Sequence, residues 1–383
     1  MRDYDRFGVE IFKNNGFDVS IWDLSSFIYP ETISSMKETF GVLNNENIIR
    51  FNSVKEVIQA IEKETQETFF ITIIHCNAKT YKIFRAISRA SMKYGSFGPY
   101  THGWFPAPVK PVVKYSMRRI KIDKHFINKV WARIIRELLK ISPRLLGINY
   151  ASYFPLLGGR LAYARGPTIN EDTNVQHIHA FDYDYYQKIK NSSNGQTSRP
   201  EFIVYIDQNL VWNPDAMIRK DTPKIDTEQY YGDLRTFFDQ IESITHNKVV
   251  IAAHPKANYR KKGYIFGNRE IVHGFNSAEL ISQCKLVIMH YSIALNFAVL
   301  FRKPIIFMIS DLLIKINKGP GINNLANWFG VTPVKIDDKH KKIELPKVDD
   351  KLYDTFISDF IKKPGTKDAL SWQQVVDHIK ENY

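Results

Sequence analysis

Short apolar runs closed by polar clusters alternate along this chain with longer stretches of helical periodicity, and that alternation predicts parallel sheets wound with helices. Arg6–Asn14 reads as a helix stopped by Gly16, and Phe17–Trp22 as a strand. A helix over Glu31–Phe40, a strand over Asn47–Phe51 and a helix beginning at Val54 follow. Phe69–His75 (FFITIIH) is apolar until its end and reads as a buried strand feeding a helix over Lys79–Met92. The leading helix has no strand before it, an unusual start for a doubly wound domain, whose first strand is then either missing through a late start or supplied from elsewhere.

The middle of the chain changes character. Gly95–Pro111, rich in Gly, Pro and aromatic residues, reads as a loop. Lys124–Lys140 is amphipathic: Phe126, Ile127, Val130, Trp131, Ile134, Leu138 and Leu139 share one face, with Lys124, Lys129, Arg133, Arg136 and Lys140 off it. Such a helix either packs into a core with a solvated basic face or lies on an anionic lipid surface, and the two are compatible if the stripe is partly buried. The polar segment Asn191–Pro200 marks a domain boundary, giving an N-terminal domain over 1–195, a second over 196–345 and closing helices over 346–383.

After that boundary the pattern is regular. Phe202–Ile206 is a strand ending at Asp207, and Asp226-x-x-Gln229 resembles a capping box before a helical stripe of Tyr230, Leu234, Phe237, Phe238 and Ile241. Val249–Ala253 and Leu286–Met289 are apolar runs that end in His254-Pro255-Lys256 and His290-Tyr291-Ser292. Asn276-x-x-Glu279 predicts a capped helix between them, Ile293–Phe301 a helix and Pro304–Ile309 a strand. Helices near Leu352–Ile361 and Trp372–Glu381 finish the chain, which therefore reads as α/β, with two Rossmann-like domains facing a cleft.

Composition narrows this picture. A 383-residue chain that is 44% hydrophobic and 13% aromatic is folded and long enough for two cores. Its two cysteines, Cys76 and Cys284, lie far apart in apolar runs, which argues against a disulfide framework or zinc site. No apolar run is long enough to span a bilayer and MRDYDRFGVEIF has no signal-peptide core, so a cytoplasmic protein is expected. The net charge of +13 is local: Lys110–Arg144 holds eleven Lys and Arg against Asp123 and Glu137.

The candidate chemistry collects at strand ends. Two apparently adjacent tips, each with a histidine and a hydroxyl or cation, suit an anionic ligand. Ser292 is placed to cap the next helix, whose free N–H groups would face a phosphate alongside His254 and Lys256. Walker and G-x-G-x-x-G loops are missing, and no aspartate pair has metal-ligand spacing, so no metal or cofactor is called for. Asp207, at a strand tip, suits a base or nucleophile, or else caps its loop. Glu171 and Asp172 lie in the other domain, placed either to face Asp207 across a cleft or to sit solvated in their loop. Asp182 and Asp184 read as a helix start, and His177 and His179 alternate on one strand face without the third ligand that a metal site needs.

Two Rossmann-like halves, the His254-Pro255 tip and the Ser292-led helix together resemble the GT-B glycosyltransferases that use CMP-activated acidic sugars, bacterial sialyltransferases and Kdo transferases among them. The segments YIDQ, VVIAAHPKANY and MHYSIALNFAVL are also similar to surface-carbohydrate biosynthesis proteins of bacterial capsule and O-antigen loci. The resemblance implies that His254-Pro255 and Ser292 hold the CMP phosphate, and that Asp207, Glu171 or Asp172 acts at the anomeric carbon or on the acceptor. The sialyltransferase acid-acid-glycine motif is not matched, since Thr173 follows Glu171-Asp172. The expected function is thus metal-independent transfer of a nonulosonic acid or Kdo from a CMP-sugar to a lipid-linked or oligosaccharide acceptor. His254, Pro255, Lys256, His290, Tyr291 and Ser292 would bind the donor, and the Lys124–Lys140 helix would hold the enzyme at the inner face of the cytoplasmic membrane. The alternatives are a GT-B enzyme with a UDP- or GDP-sugar donor, a basic nucleic-acid-binding protein, or a non-catalytic assembly subunit.

Overall fold

The computed structural model describes residues 7–30, 47–98, 124–192, 202–212, 225–255, 257–259, 263–274, 276–316, 318–338 and 343–383. The predicted helix over Glu31–Phe40, most of the Gly95–Pro111 and Asn191–Pro200 loops, and Lys256 lie outside them. The chain divides into two compact units. Met1–His102, Lys110–Phe181 and Lys363–Tyr383 form unit 1, and Gly103–Val109 with Asp182–Lys362 form unit 2. Both are Rossmann-like α/β units on parallel strands, as the alternating pattern predicts. The units divide at Phe181, whereas the polar loop places the expected boundary at 195.

In unit 1, β1 (Ile21–Asp23) pairs with β2 (Ile48–Arg50), and β3 (Phe70–Thr72), β4 (Tyr94–Ser96), β5 (Tyr153–Leu157) and β6 (Asn174–Ile178) form a second sheet in that order. Helices α1 (Val9–Asn14), α2 (Ser25–Ile28), α3 (Val54–Ile61), α4 (Tyr81–Arg89) and α5 (Lys124–Ile141) connect or flank the strands. The FFITIIH run gives a shorter strand than expected. As the sheet's edge strand it keeps Phe70 and Ile71 only half-buried, and Ile73 beyond it is exposed. Strand β5, in the middle, is buried throughout. The C-terminal helix Ser371–Asn382 packs Trp372, Val375, Val376 and Ile379 into a cluster with Phe12, Phe97, Tyr153 and Leu157. Gly8, at φ +66°, admits Trp372, since a Cβ there would lie 2.3 Å from the indole Cγ.

Helix α5 departs from its expected packing. Ile135 and Leu139 are buried in the unit 1 core, whereas Ile127, Val130, Trp131, Ile134 and Ile141 are exposed. The buried line is rotated by about a quarter-turn from the stripe that the sequence presented as one face. Among the described residues no helix is long and apolar enough to cross a membrane.

Unit 2 follows α6 (Phe181–Ser192), which begins at the boundary. Its elements are β7 (Phe202–Ile206), α7 (Thr227–Thr245), β8 (Lys248–Ala252), β9 (Ile271–Val272), α8 (Ser277–Gln283), β10 (Leu286–Met289), α9 (Leu295–Leu300), β11 (Ile305–Ile309), α10 (Asp311–Lys315), α11 (Gly319–Trp328), β12 (Val334–Lys335) and α12 (Asp350–Phe356). The apolar runs of β10 and β11 are buried at every position, as strands covered on both faces must be. Asp226 caps α7 by accepting from the Gln229 N–H at 3.1 Å. That helix buries Tyr230, Tyr231, Leu234, Phe237, Phe238 and Ile241 against the sheet, each apolar body contributing about 1.5–3 kcal/mol of transfer free energy. Asn276 precedes α8 but makes no side-chain cap bond.

The sheet order is β12-β11-β10-β7-β8-β9, all parallel. Counted from β7, this is the doubly wound order 3-2-1-4-5-6. The winding reverses between β7 and β10, and chains leaving those two strands diverge over opposite faces. The crevice between them is where such sheets take ligands.

Candidate functional site

Three strand tips meet at the C-terminal edge of the unit 2 sheet. Strand β7 ends in Asp207-Gln208-Asn209 and lies between β8, which runs on into His254-Pro255, and β10, which runs on into His290-Tyr291-Ser292. The two histidine-tipped strands are therefore not neighbours; the aspartate strand separates them. At the switch point the Tyr291 N–H donates to Gln208 Oε1 at 3.2 Å, tying the tips of β7 and β10 together.

Asp207 is buried, and both its oxygens are engaged. Oδ1 accepts from the Asn209 N–H at 2.9 Å, while Oδ2 accepts from the His254 N–H at 3.1 Å and the Tyr259 hydroxyl at 2.6 Å. Asn209 completes this turn at φ +48°, a left-handed conformation that asparagine tolerates. Burial raises the Asp207 carboxyl above the ordinary carboxylate range, and the three donors pull it back. A carboxylate so enclosed braces the β7 and β8 tips; it is not presented as a nucleophile or base.

His290 is likewise turned inward. Its Nδ1 lies 2.8 Å from the Met308 carbonyl, an acceptor only, so the ring proton sits on Nδ1. Nε2 then accepts from the Tyr230 hydroxyl at 3.0 Å, which is 3.3 Å from the Tyr205 hydroxyl. Burial pulls the imidazole down to about 4, leaving it neutral. The residue stitches β10 to β11 and α7, whereas its neighbour Tyr291, on the opposite side of the chain, is 36% exposed.

Ser292 does not begin a helix. Its Oγ accepts from the Ala294 N–H at 3.3 Å in a local turn, and α9 starts at Leu295 with only six residues. The helix expected over Ile293–Phe301 is shortened to Leu295–Leu300, with Ala294 at its N-cap. The ten-residue α11 opens nearby with Gly319-Pro320-Gly321, and a Cβ on Gly321 would lie 3.5 Å from the Tyr291 ring. Its Pro at the first turn is compatible with a helix start.

The carboxylates expected from the other domain are placed differently. Glu171 and Asp172 are exposed in the turn before β6, in unit 1. That turn enters the strand, so it lies at the N-terminal edge of its parallel sheet, opposite the edge at which such sheets open their crevices. Asn170 holds it, donating to Asp172 at 3.0 Å and exchanging bonds with Thr173. Asp182 and Asp184 open α6 as predicted, and Asp182 also accepts from the buried Asn296 of α9 at 2.6 Å. His179 is buried beside Gln374, His177 is half-buried, and among the described residues no three His, Cys, Asp or Glu side chains gather for a metal. Cys76 and Cys284 are free and buried, which pushes both thiols up to about 12.

Three residues escaped the sequence reading: Gln208, Tyr259 and Tyr230. Tyr259 lies five positions beyond His254, and only the fold returns its hydroxyl to Asp207. The YYGD segment looked like a plain apolar stripe, with nothing to distinguish the tyrosine that reaches His290.

No protein-family model matches the sequence, and neither does any curated protein. Solved structures with a similar chain fold include the UDP-GlcNAc 2-epimerase of Methanocaldococcus jannaschii, at 10% identity over 92% of this chain and 90% of that one, with a TM-score of 0.44. The wall teichoic acid polymerase TagF is similar at 13% identity over 94% and 85% of the two chains, with a TM-score of 0.45. Acinetobacter baumannii MurG is similar at 8% identity over 97% and 93%, with a TM-score of 0.42. At these identities the likeness is one of fold. The expectation of a CMP-activated acidic sugar is corrected here. Where the matched structures name a sugar nucleotide, in the epimerases, it is UDP-GlcNAc, and Ser292 stands in the turn before α9 and does not lie at its N-cap.

Proposed function

We propose that this chain is a glycosyltransferase taking its sugar from a UDP- or GDP-activated donor, with the nucleotide seated over the β7/β10 switch point of unit 2. One observation carries the reading: the reversal in the doubly wound sheet falls between the tips bearing Gln208 and Tyr291, which touch each other and leave the Tyr291 ring accessible. Tyr291 offers a stacking surface, and Ser292, Gln208 and the His254-Pro255 tip offer polar groups for a diphosphate. In the transfer, the bond from anomeric carbon to donor phosphate oxygen breaks as an acceptor oxygen bonds to that carbon. Charge grows on the departing diphosphate, and fixed donors at the strand tips stabilise it most where it grows. Asp207 and His290 act as positioning residues that hold the tips in register.

The acceptor side of the reading is a glycan at a lipid surface. Its support is α5, whose exposed apolar stripe of Ile127, Val130, Trp131, Ile134 and Ile141 runs beside Lys129, Arg133, Arg136 and Lys140. The deciding measurement is a nucleotide panel: unfolding temperature and calorimetric binding with UDP, GDP, ADP and CMP, then transfer from the sugar nucleotides of whichever base binds. Stabilisation by UDP or GDP with product formed from its sugar supports the proposal. Stabilisation by none of the panel, or by ADP or CMP alone, overturns it.

A further inference from the structure

Unit 1 contains a cavity of about 1020 Å³ that the donor reading does not use. Helix α5 forms one wall, contributing Lys129, Arg133, Arg136 and Lys140, which recur at helical spacing along one side. The loop leading into α4 contributes Lys79, whose Nζ donates to the Ile28 carbonyl at 3.0 Å. Five cations thus line one cavity, and among the described residues that line it none is acidic. Glu137, on the same helix, pairs with Lys140 at 3.0 Å and Arg136 at 3.7 Å. Lys129 and Arg133 form no ion pair among the described residues. Tyr29 and Tyr150 add aromatic surface, and the Tyr150 ring is also approached by Arg144 at 5.4 Å.

Like charges drawn around one concavity repel one another, and the low-dielectric walls strengthen the field inside it. We infer that this cavity is a binding site for a ligand carrying one or more phosphate groups. Arginine and lysine together supply forked and point-charge donors for phosphate oxygens, and a volume of this size exceeds a single phosphate, leaving room for what the phosphate is attached to. Two sources share this chemistry: a soluble phosphorylated compound, or the headgroup of a lipid whose chains would adjoin the exposed stripe on the same helix. The inference concerns unit 1 alone and does not rest on the donor reading.

The test uses the full chain and compares inorganic pyrophosphate with vesicles of phosphatidylcholine, alone or with one-fifth phosphatidic acid. Binding is followed by calorimetry and co-sedimentation, and the site is located by protection of Lys79, Lys129 and Lys140 from acetylation. The paired variant Lys129→Ala/Arg133→Ala alters exposed helix positions where alanine is favourable, so the fold is retained and circular dichroism checks it. The expected result is protection of the three lysines, with affinity about tenfold or more weaker in the variant and falling with salt. Pyrophosphate that binds alone and is not displaced by vesicles identifies a soluble ligand; phosphatidic acid vesicles competing with pyrophosphate identify a lipid headgroup. Absence of binding to either probe, or equal affinity in wild type and variant, overturns the inference. Nucleotide binding at unit 2 should survive the variant, so failure of the donor reading and failure of this one are separable.

Discussion

Replacing Asp207 distinguishes a reacting carboxylate from a brace. Asp207→Ala leaves three donors without their acceptor: the N–H groups of Asn209 and His254 and the Tyr259 hydroxyl. Each buried orphan costs about 1–3 kcal/mol, so the variant should lose roughly 3–9 kcal/mol. That is a large share of the about 5–15 kcal/mol available to a domain. Asp207→Asn keeps one carbonyl oxygen, which in its best orientation still serves His254 and Tyr259 while the amide nitrogen confronts the Asn209 N–H. One bond lost and two reduced to neutral strength cost about 2–4 kcal/mol, partly offset by removal of a buried charge. Urea unfolding at neutral pH, followed through the fluorescence of Trp212, which stacks on Tyr231 beside Tyr259, should rank wild type above Asn above Ala. The ionisation adds a sign. The folded carboxyl titrates above its unfolded value, so its contribution is fully present below the ordinary range and is lost as pH rises through the folded value. The gap between wild type and Asp207→Asn should therefore narrow as pH rises from about 4 towards neutrality. An Asp207→Asn protein with the wild-type unfolding midpoint and no turnover would refute the bracing role and make the carboxylate catalytic.

Three further outcomes follow from the geometry. His290, held neutral with its pKa near 4, loses stability relative to the unfolded chain as pH falls from about 6.5 to about 4, by roughly 3 kcal/mol; His290→Gln should flatten that part of the stability–pH curve. Gly8→Ala should destabilise unit 1 by about 2–4 kcal/mol, read as a lowered thermal midpoint, because it adds a Cβ at positive φ into the Trp372 ring. Tyr291→Ala should change stability by less than about 1 kcal/mol, since the ring is partly exposed, yet weaken nucleotide binding about tenfold or more by calorimetry; unchanged affinity would remove Tyr291 from the donor site.

How much of this was legible in the sequence depended on whether the deciding interaction was local. The fully apolar runs of β10 and β11 announced strands covered on both faces, and Asp226-x-x-Gln229 announced the start of α7 through a bond three residues long. The centre of the doubly wound unit 2 was readable because its elements are of that kind, whereas the short β9 and β12 and the helices α10 and α11 were not read. Asp207 and His290 were not readable in role. Their partners Tyr259 and Tyr230 lie 52 and 60 positions away, and a polar residue at a strand end looks the same whether it faces solvent or core. Glu171-Asp172 carry a topological lesson: a loop's chemistry is visible in sequence, but its edge of the sheet depends on whether it enters or leaves the strand. For α5, periodicity located an apolar stripe without saying what medium covers it, and the helix turned a different line of residues to the core.

The consecutive pair His290-Tyr291 shows where function is left to reside once burial has been assigned. Both residues follow the last strand position, Met289, in a bend that turns the first side chain into the core and leaves the second partly exposed. Here the residue with the more reactive side chain is the one taken inside: its ring nitrogens are committed to Met308 and Tyr230, and burial leaves it neutral. Tyr291 then stands at the reversal of the sheet with its N–H tied to Gln208 and its ring against Gly321. A phenol and backbone amides recognise and orient, and they do little proton transfer at neutral pH. Under the proposed donor reading, the unit 2 edge orients the nucleotide, and with Asp207 and His290 both buried a general base for the acceptor would be sought among other groups.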